Sequence, residues 1–313
     1  ARTARGPVRE ARVSALTPLV LAKATLLTVP VWLFLSSLLK VKPSVLKHAI
    51  SIVGGFAAGL LLVLLVPNGI LAYLTSFALM ASIYAVLSLG LNVQWGYTGL
   101  FNIGIAAFFA VGAFTTALVT TVKPMGINAT FTQQVFGLGA PFWVGVIAAG
   151  ITAGLLAWLI GKPTLRLRDD YLAIATIGIA ELVRLVFQNE RWLANGPQPL
   201  RGIPQPLSCL SGDGCSWLPG FVNDFFSPLL PRDYPLVYVA IVALVLYLVF
   251  RVLERAIRSP WGRVLRAVRE EEASAAMNGK NVAAFRMQAF VVGSVIMGIG
   301  GALYAHYIVS IDY

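Results

Sequence analysis

The stretch Arg251-Val-Leu-Glu-Arg-Ala-Ile-Arg-Ser-Pro-Trp-Gly-Arg-Val-Leu-Arg-Ala-Val-Arg-Glu-Glu-Glu-Ala-Ser-Ala-Ala-Met-Asn-Gly-Lys280 lies between two long apolar runs. Residues 251–282 hold seven basic residues, Arg251, Arg255, Arg258, Arg263, Arg266, Arg269 and Lys280, and four acidic ones, Glu254, Glu270, Glu271 and Glu272. Such a block does not enter lipid, where one charge at the bilayer centre costs about 2.5–3.5 kcal/mol on insertion scales. Its excess of arginine assigns it to the cytoplasmic side by the positive-inside rule. It also carries helix signals of its own. Ser259 suits an N-cap, Pro260 a first turn, and Gly279 the left-handed position that ends a helix. Trp261, Val264, Leu265 and Val268 recur at i, i+3, i+4 and i+7, so the spacing predicts one amphipathic helix over 261–279.

Outward from that loop the chain is apolar. Of its 313 residues 58% are hydrophobic and only 12% charged, with a mean hydropathy of +0.79. Soluble domains run near about 25% charged, so this is an integral membrane protein. No Asp, Glu, Lys or Arg occurs between Lys47 and Lys123, an interval with room for roughly three spans of about 20 residues. Candidate spans are 16–39, 45–66, 69–91, 101–122, 140–161, 171–188, 235–252 and 283–309. All are expected to be helices, because backbone in lipid must satisfy its own hydrogen bonds and the alternation of a barrel is absent. The expected fold is therefore all-α, a polytopic membrane bundle over 16–313 behind a basic segment at 1–15. The net charge of +11 comes from loops beside apolar spans, which fits anionic lipid headgroups and topology control better than nucleic acid.

Lys162, Arg166 and Arg168 put the 162–170 loop inside, as is 251–282. Between them, 189–234 balances Arg191, Arg201 and Arg232 against Glu190, Asp213, Asp224 and Asp233, and is read as external. The N-terminal part stays open. Lys40, Lys42 and Lys47 suggest an internal loop, so either 16–39 lies along the interface or the break at 92–101 is re-entrant. The external segment is long and rich in Pro and Gly, which marks it as functional. It holds both cysteines, Cys209 and Cys215, separated by Leu-Ser-Gly-Asp-Gly. A disulfide is expected if the loop faces an oxidising compartment; two free thiols are the alternative.

Polar residues concentrate at one place in the uncharged centre, Asn92-Val-Gln-Trp-Gly-Tyr-Thr-Gly-Leu-Phe-Asn102. Asn92, Gln94, Tyr97, Thr98 and Asn102 sit among glycines. Glycine-interrupted polar backbone at membrane depth either is buried or lines an aqueous cavity. The stretch is thus either a solute path or a surface loop with interfacial Trp95 and Tyr97. Glu181 and Arg184, at i, i+3, form the second polar feature. As an intramembrane pair they are either part of the path or a structural pair, with Arg184 snorkelling outward. Glycines at 54, 55 and 59, at 104 and 112, and at 293, 298, 300 and 301 indicate close helix packing. No nucleotide-binding G-x-x-x-x-G-K-[ST], no G-x-S-x-G and no H-E-x-x-H occurs, and the two histidines, His48 and His306, are far apart. No cofactor is expected.

Six stretches, taken together, resemble the M-type permease subunit of the ATP-binding-cassette importers for branched-chain amino acids and their relatives for urea and short amides. They are Ser88-Leu-Gly-Leu-Asn-Val-Gln-Trp-Gly-Tyr-Thr-Gly-Leu100, Ala106-Ala-Phe-Phe-Ala-Val-Gly-Ala-Phe114, Leu165-Arg-Leu-Arg-Asp-Asp-Tyr-Leu-Ala-Ile174, Gly178-Ile-Ala-Glu-Leu-Val-Arg184, Ser259 to Ala273, and Gly301-Ala-Leu-Tyr304. The resemblance covers the chain from about residue 70 onward. It implies a non-enzymatic, multi-pass permease of the bacterial inner membrane. Implied partners are a second homologous permease, two cytoplasmic ATPase subunits that bind the ATP, and an extracytoplasmic substrate-binding protein. The family's cytoplasmic Glu-Ala-Ala…Gly motif falls on Glu272, Ala273 and Gly279, so Trp261, Arg269, Glu270 and Glu271 join these as candidate ATPase-coupling residues. Ile105 stands where the family often has histidine, and Asn195-Gly-Pro-Gln-Pro199 departs from its Gly-Gly-Pro-Asn-Gly pattern. Family members continue past Tyr313 with further spans. A stand-alone secondary transporter or channel using Glu181 as its ion site is the alternative reading.

Overall fold

The computed structural model describes residues 18–32, 55–61, 63–122, 137–194, 196, 198–211, 220–226, 229 and 233–311. Its helices are α1 (Pro18–Trp32), α2 (Gly55–Leu65), α3 (Asn68–Leu91), α4 (Ile105–Thr120), α5 (Phe142–Thr164), α6 (Asp169–Asn189), the short α7 (Arg191–Ala194) and α8 (Gly220–Phe226), α9 (Tyr234–Arg258), α10 (Pro260–Glu270), α11 (Glu272–Met277) and α12 (Val282–Ile308). Four helical stretches among the described residues are long and apolar enough to cross a membrane: Gly69–Gly96, Phe142–Thr164, Tyr234–Arg258 and Val282–Ile308. They lie within a few residues of the spans expected at 69–91, 140–161, 235–252 and 283–309. The span expected at 101–122 begins later, at Ile105, because residues 99–104 complete a turn. Of the N-terminal expectations, 1–15 and the loop at 40–47 lie outside the described residues. The single transmembrane domain expected over 16–313 divides into two compact units, Ala1–Ser82 with Pro206–Tyr247, and Ile83–Gln205 with Leu248–Tyr313.

In the first unit, α1 packs its Leu27 with Leu71 and Leu236, and Ala22 with Leu229 and Val237. Lys23 is almost wholly buried, and its ammonium lies 2.9 Å from Asp233. A buried lysine is tolerable only with such a partner. The Tyr234 hydroxyl donates to Pro206 O at 3.0 Å.

The second unit is built around α12. Lipid supplies no hydrophobic force between helices, so contact relies on small residues that let backbones meet. At Gly112 of α4 an added Cβ would run into the backbone of Gly298, and at Gly301 into the Phe109 carbonyl. On α3, a Cβ at Gly90 would lie 2.7 Å from Gly293 O, and on α5, one at Gly154 would lie 2.8 Å from Val295. The pairs also give direction. Along α4, Phe108 meets Phe290 and Gly112 meets Gly298, so α4 runs parallel to α12. Along α3, Leu87 meets Gly300 and Gly90 meets Gly293, so α3 runs antiparallel to it. Along α5, Gly150 meets Ile299 and Gly161 meets Met287, again antiparallel. The chain therefore descends on α3, turns at 99–104 and returns on α4. The break at 92–101 is a connection between two antiparallel helices, at the same end of this unit as the 162–170 and 251–282 loops.

At the opposite end β1 (Leu200–Arg201) pairs antiparallel with β2 (Ser310–Ile311), Leu200 opposite Ile311. His306 Nδ1 and Pro204 O lie 2.8 Å apart beside them. Residues 200–204 are thus fastened to the C-terminal end of α12. Cys209 is disulfide-bonded; Cys215 falls outside the described residues.

Gly112→Val should lower the stability of the purified chain by about 1–3 kcal/mol through overpacking. Gly178→Ala, where nothing lies within 4 Å of the added carbon, should be neutral or gain about 0.5–1 kcal/mol from helix propensity. Thermal unfolding in detergent followed by size exclusion compares the two.

Candidate functional site

The polar stretch begins where α3 changes its winding. Residues Asn92–Gly96 form a π turn, in which Tyr97 N donates to Asn92 O. Such single turns are rare and concentrate at functional sites. Helix resumes to Thr98, and Gly99 then takes a left-handed conformation (φ +74°) that only glycine adopts without strain. Leu100 N reaches back to Gln94 O at 3.0 Å, and the chain turns toward α4.

Gln94 is the hub of this turn. It is fully buried. Its Nε2 donates to Phe290 O at 2.8 Å and to the Ser294 hydroxyl at 3.1 Å, both on α12. Its Oε1 accepts from Asn102 Nδ2 at 2.7 Å, and Asn102 Oδ1 accepts from Gly104 N at 2.9 Å. The Thr98 hydroxyl donates to Gln94 O. Ile103 N donates to the Thr176 hydroxyl on α6 at 3.2 Å. One amide therefore joins the end of α3, the turn after it and the first half of α12, with both of its ends used.

This arrangement separates the residues that the sequence grouped as a solute path. Gln94, Thr98 and Asn102 are buried and bonded to protein, so they form a knot and do not line an open channel. Asn92 is exposed and Tyr97 half-buried. These two line an open groove with Phe250, Leu253, Glu254 and Ile257 from the lower part of α9. Glu181 and Arg184 stand apart. Arg184 Nε donates to both carboxylate oxygens at 3.0 and 3.1 Å, and Nη2 donates to Oε1 at 2.6 Å. Their side chains are 53% and 50% exposed on a face of α6 that also presents Ile174, Ile177 and Leu182. In this chain they point outward, away from the bundle interior that intramembrane charges usually seek.

The 251–282 loop folds as an elbow. The single helix expected over 261–279 is two, because Glu271 adopts an extended conformation (φ −157°, ψ 104°) between α10 and α11. Pro260 opens α10, but the Ser259 hydroxyl donates to Ala256 O at 2.5 Å and does not cap the helix. Gly279 is left-handed, φ +72°, as its place after the last turn requires. Leu265 and Val268 are buried, with Trp261 and Val264 half-buried on the same face. Three polar ties hold the elbow. Trp261 Nε1 donates to Gln288 Oε1 at 2.9 Å, and Arg286 pairs with Glu272, both reaching α12. Arg269 Nη1 donates to Gly96 O at the end of the π turn. Glu270, Glu271 and Ala273 remain exposed, as does Met277 at 87%.

The sequence alone did not single out Arg286, Gln288 and Ser294. Arg286 left a signal, a charge near the start of an apolar span that calls for a nearby acid. Gln288 and Ser294 left none, since isolated polar residues in a span look alike until the facing helix is known.

Fold and site together define a multi-pass helical membrane protein with a polar elbow fastened to its central helix. The family described as branched-chain amino acid transport system / permease component matches residues 73–313, and the chain belongs to it. The chain is similar to the high-affinity branched-chain amino acid transport system permease protein LivM of Salmonella typhimurium, at 33% identity over 234 residues, covering 73% of this chain and 51% of that protein. The LivM of Escherichia coli is equally similar, 33% over 234 residues with the same coverage. A probable branched-chain amino acid transport permease protein LivM of Methanocaldococcus jannaschii is 28% identical over 255 residues, 73% of this chain and 66% of that protein. The chain thus spans about half the length of the first two relatives. No solved structure matches it.

Gln94→Leu keeps the volume and removes the amide, leaving Asn102 Nδ2 with no acceptor in the knot. It should destabilise the purified chain by about 1–3 kcal/mol, the penalty of a buried unsatisfied group. Ser294→Ala, which leaves the second Nε2 bond to Phe290 O in place, should do less. Chemical denaturation in detergent measures both.

Proposed function

We propose that this chain is the transmembrane permease subunit of an ATP-binding-cassette importer that moves branched-chain or other neutral amino acids inward. The observation that carries this reading is the elbow of α10 and α11. Its inner face is fastened to the bundle by Trp261, Arg269 and Glu272, while Glu270, Glu271, Ala273 and Met277 are presented outward. A surface that is rigidly backed and partly apolar at its tip suits a partner that pushes on it. No phosphate-binding loop occurs in the sequence, so separate cytoplasmic ATPases bind and hydrolyse the ATP and this subunit is not itself an enzyme. A soluble binding protein delivers the solute to the external face, where residues 200–204 are strapped to the end of α12. The setting is a bacterial inner membrane.

The face of α6 that bears Glu181 and Arg184 supports a second permease subunit beside it. A half-exposed ion pair among Ile174, Ile177 and Leu182 is costly against hydrocarbon and acceptable against protein or a hydrated solute. The solute path runs along that seam, and the Asn92 and Tyr97 groove, which no α6 residue lines, is a separate candidate contact for the solute. Gln94, Thr98 and Asn102 hold the helices whose movement opens it.

Affinity purification of the tagged chain in mild detergent should retain a second permease and two P-loop ATPases. Vesicles containing that complex should take up leucine on addition of ATP. Glu272→Arg, which sets two cations against each other, should reduce uptake severalfold with assembly intact, and Glu272→Arg with Arg286→Glu should restore much of it. ATP-driven uptake of urea or short amides in place of leucine would move the chain to that branch of the family. A homo-oligomer with gradient-driven flux and no ATPase would replace the importer by a secondary transporter.

A further inference from the structure

A helix ends with carbonyls that lack intrahelical donors, and its aligned peptide dipoles leave about half a negative charge there. The π turn aggravates this at the end of α3. Leu100 N, which regular α winding would aim at Gly96 O, reaches Gln94 O instead. Gly96 O is thereby bypassed, and the group that closes it comes from α10. Arg269 Nη1 donates to it across 173 positions of sequence. The stem of the same arginine lies over the turn, its Cγ 3.5 Å from the carbon that a side chain at Gly99 would add. A guanidinium on a helix C-terminus combines a charge-assisted hydrogen bond with a favourable dipole interaction.

The three ties of the elbow also differ in where they lead. Trp261 and Glu272 fasten it to α12 through Gln288 and Arg286. Arg269 fastens it to α3. The elbow therefore bridges the two helices that Gln94 joins a turn deeper in the bundle. A displacement of the elbow shears α3 against α12 at that knot only if the connection to α3 is intact.

We infer that Arg269 is the positioning residue through which α10 drives α3. Docked, it closes the Gly96 carbonyl and holds the π turn and the Gln94 knot; drawn away with α10, it frees the turn to rewind. This inference rests on the importer reading. It gives Arg269, which the sequence grouped with the ATPase-facing residues, a partner within the bundle, the Gly96 carbonyl.

The test uses the full complex in vesicles, with ATP hydrolysis and leucine uptake measured on the same preparation. Arg269→Ala should leave hydrolysis near the wild-type rate and lower uptake per ATP about tenfold, the factor expected for one charge-assisted hydrogen bond. Arg269→Lys, which keeps a cation and one donor, should recover a large part of the ratio. An unchanged ratio in Arg269→Ala, or hydrolysis and uptake falling in proportion, overturns the proposal. If Arg269→Ala does not assemble, Arg269→Gln takes its place, and a wild-type ratio there overturns the proposal equally. Absence of ATP-driven uptake in the wild-type complex would instead defeat the importer reading itself.

Discussion

Close backbone approach along α12 is the constraint on which the second unit depends. With lipid outside and apolar side chains inside, burial distinguishes neither side, and helices associate through packing and interhelical hydrogen bonds. Glycines at 90, 112, 298 and 301 bring α3, α4 and α5 to backbone contact with it, and Gly154 makes room for the Val295 side chain. That contact aligns the helices well enough for one amide, Gln94, to reach two acceptors on α12 and one donor on the following turn. A larger residue at any of the closest points would separate the helices and leave the knot's polar atoms unpaired at membrane depth.

The knot and the elbow solve the same electrostatic problem at different levels. Turning a chain at the cytoplasmic edge of a bilayer exposes carbonyls and amides that lipid cannot satisfy. Side chains of the turn satisfy two of them: the Thr98 hydroxyl donates to Gln94 O, and Asn102 Oδ1 accepts from Gly104 N. Arg269 satisfies another from a distant part of the chain. The outcome is a local structure whose integrity depends on a remote helix, which is the physical requirement for a transmitted movement.

Charge is distributed by the same logic. The arginine-rich loop stays in water and folds on itself, and its apolar stripe, Leu265 and Val268, is buried against the bundle. The pair Glu181 and Arg184 neutralises itself within three residues, so the helix that carries it can meet a low-dielectric surface without an isolated charge. At the outer end the short strand pair and the His306 contact fix the first residues of the external segment.

Much of this was legible in the sequence by physical necessity. The absence of charge from 48 to 122 requires membrane spans, the arginines of 251–282 keep that loop out of lipid, and Pro260 with Gly279 bounds the region that must be helical there. Glycine spacing announced close packing without naming the partners. The tertiary structure alone decided that Gln94 and Asn102 bind each other and not a solute, that 92–101 is a connection between antiparallel helices, that Glu271 splits the expected helix, and that Arg269 reaches the Gly96 carbonyl. For the polar residues the reason is shared. A local pattern states that a polar group needs a partner, whereas the identity of the partner depends on what faces it, here residues 8 to 200 positions away in the chain.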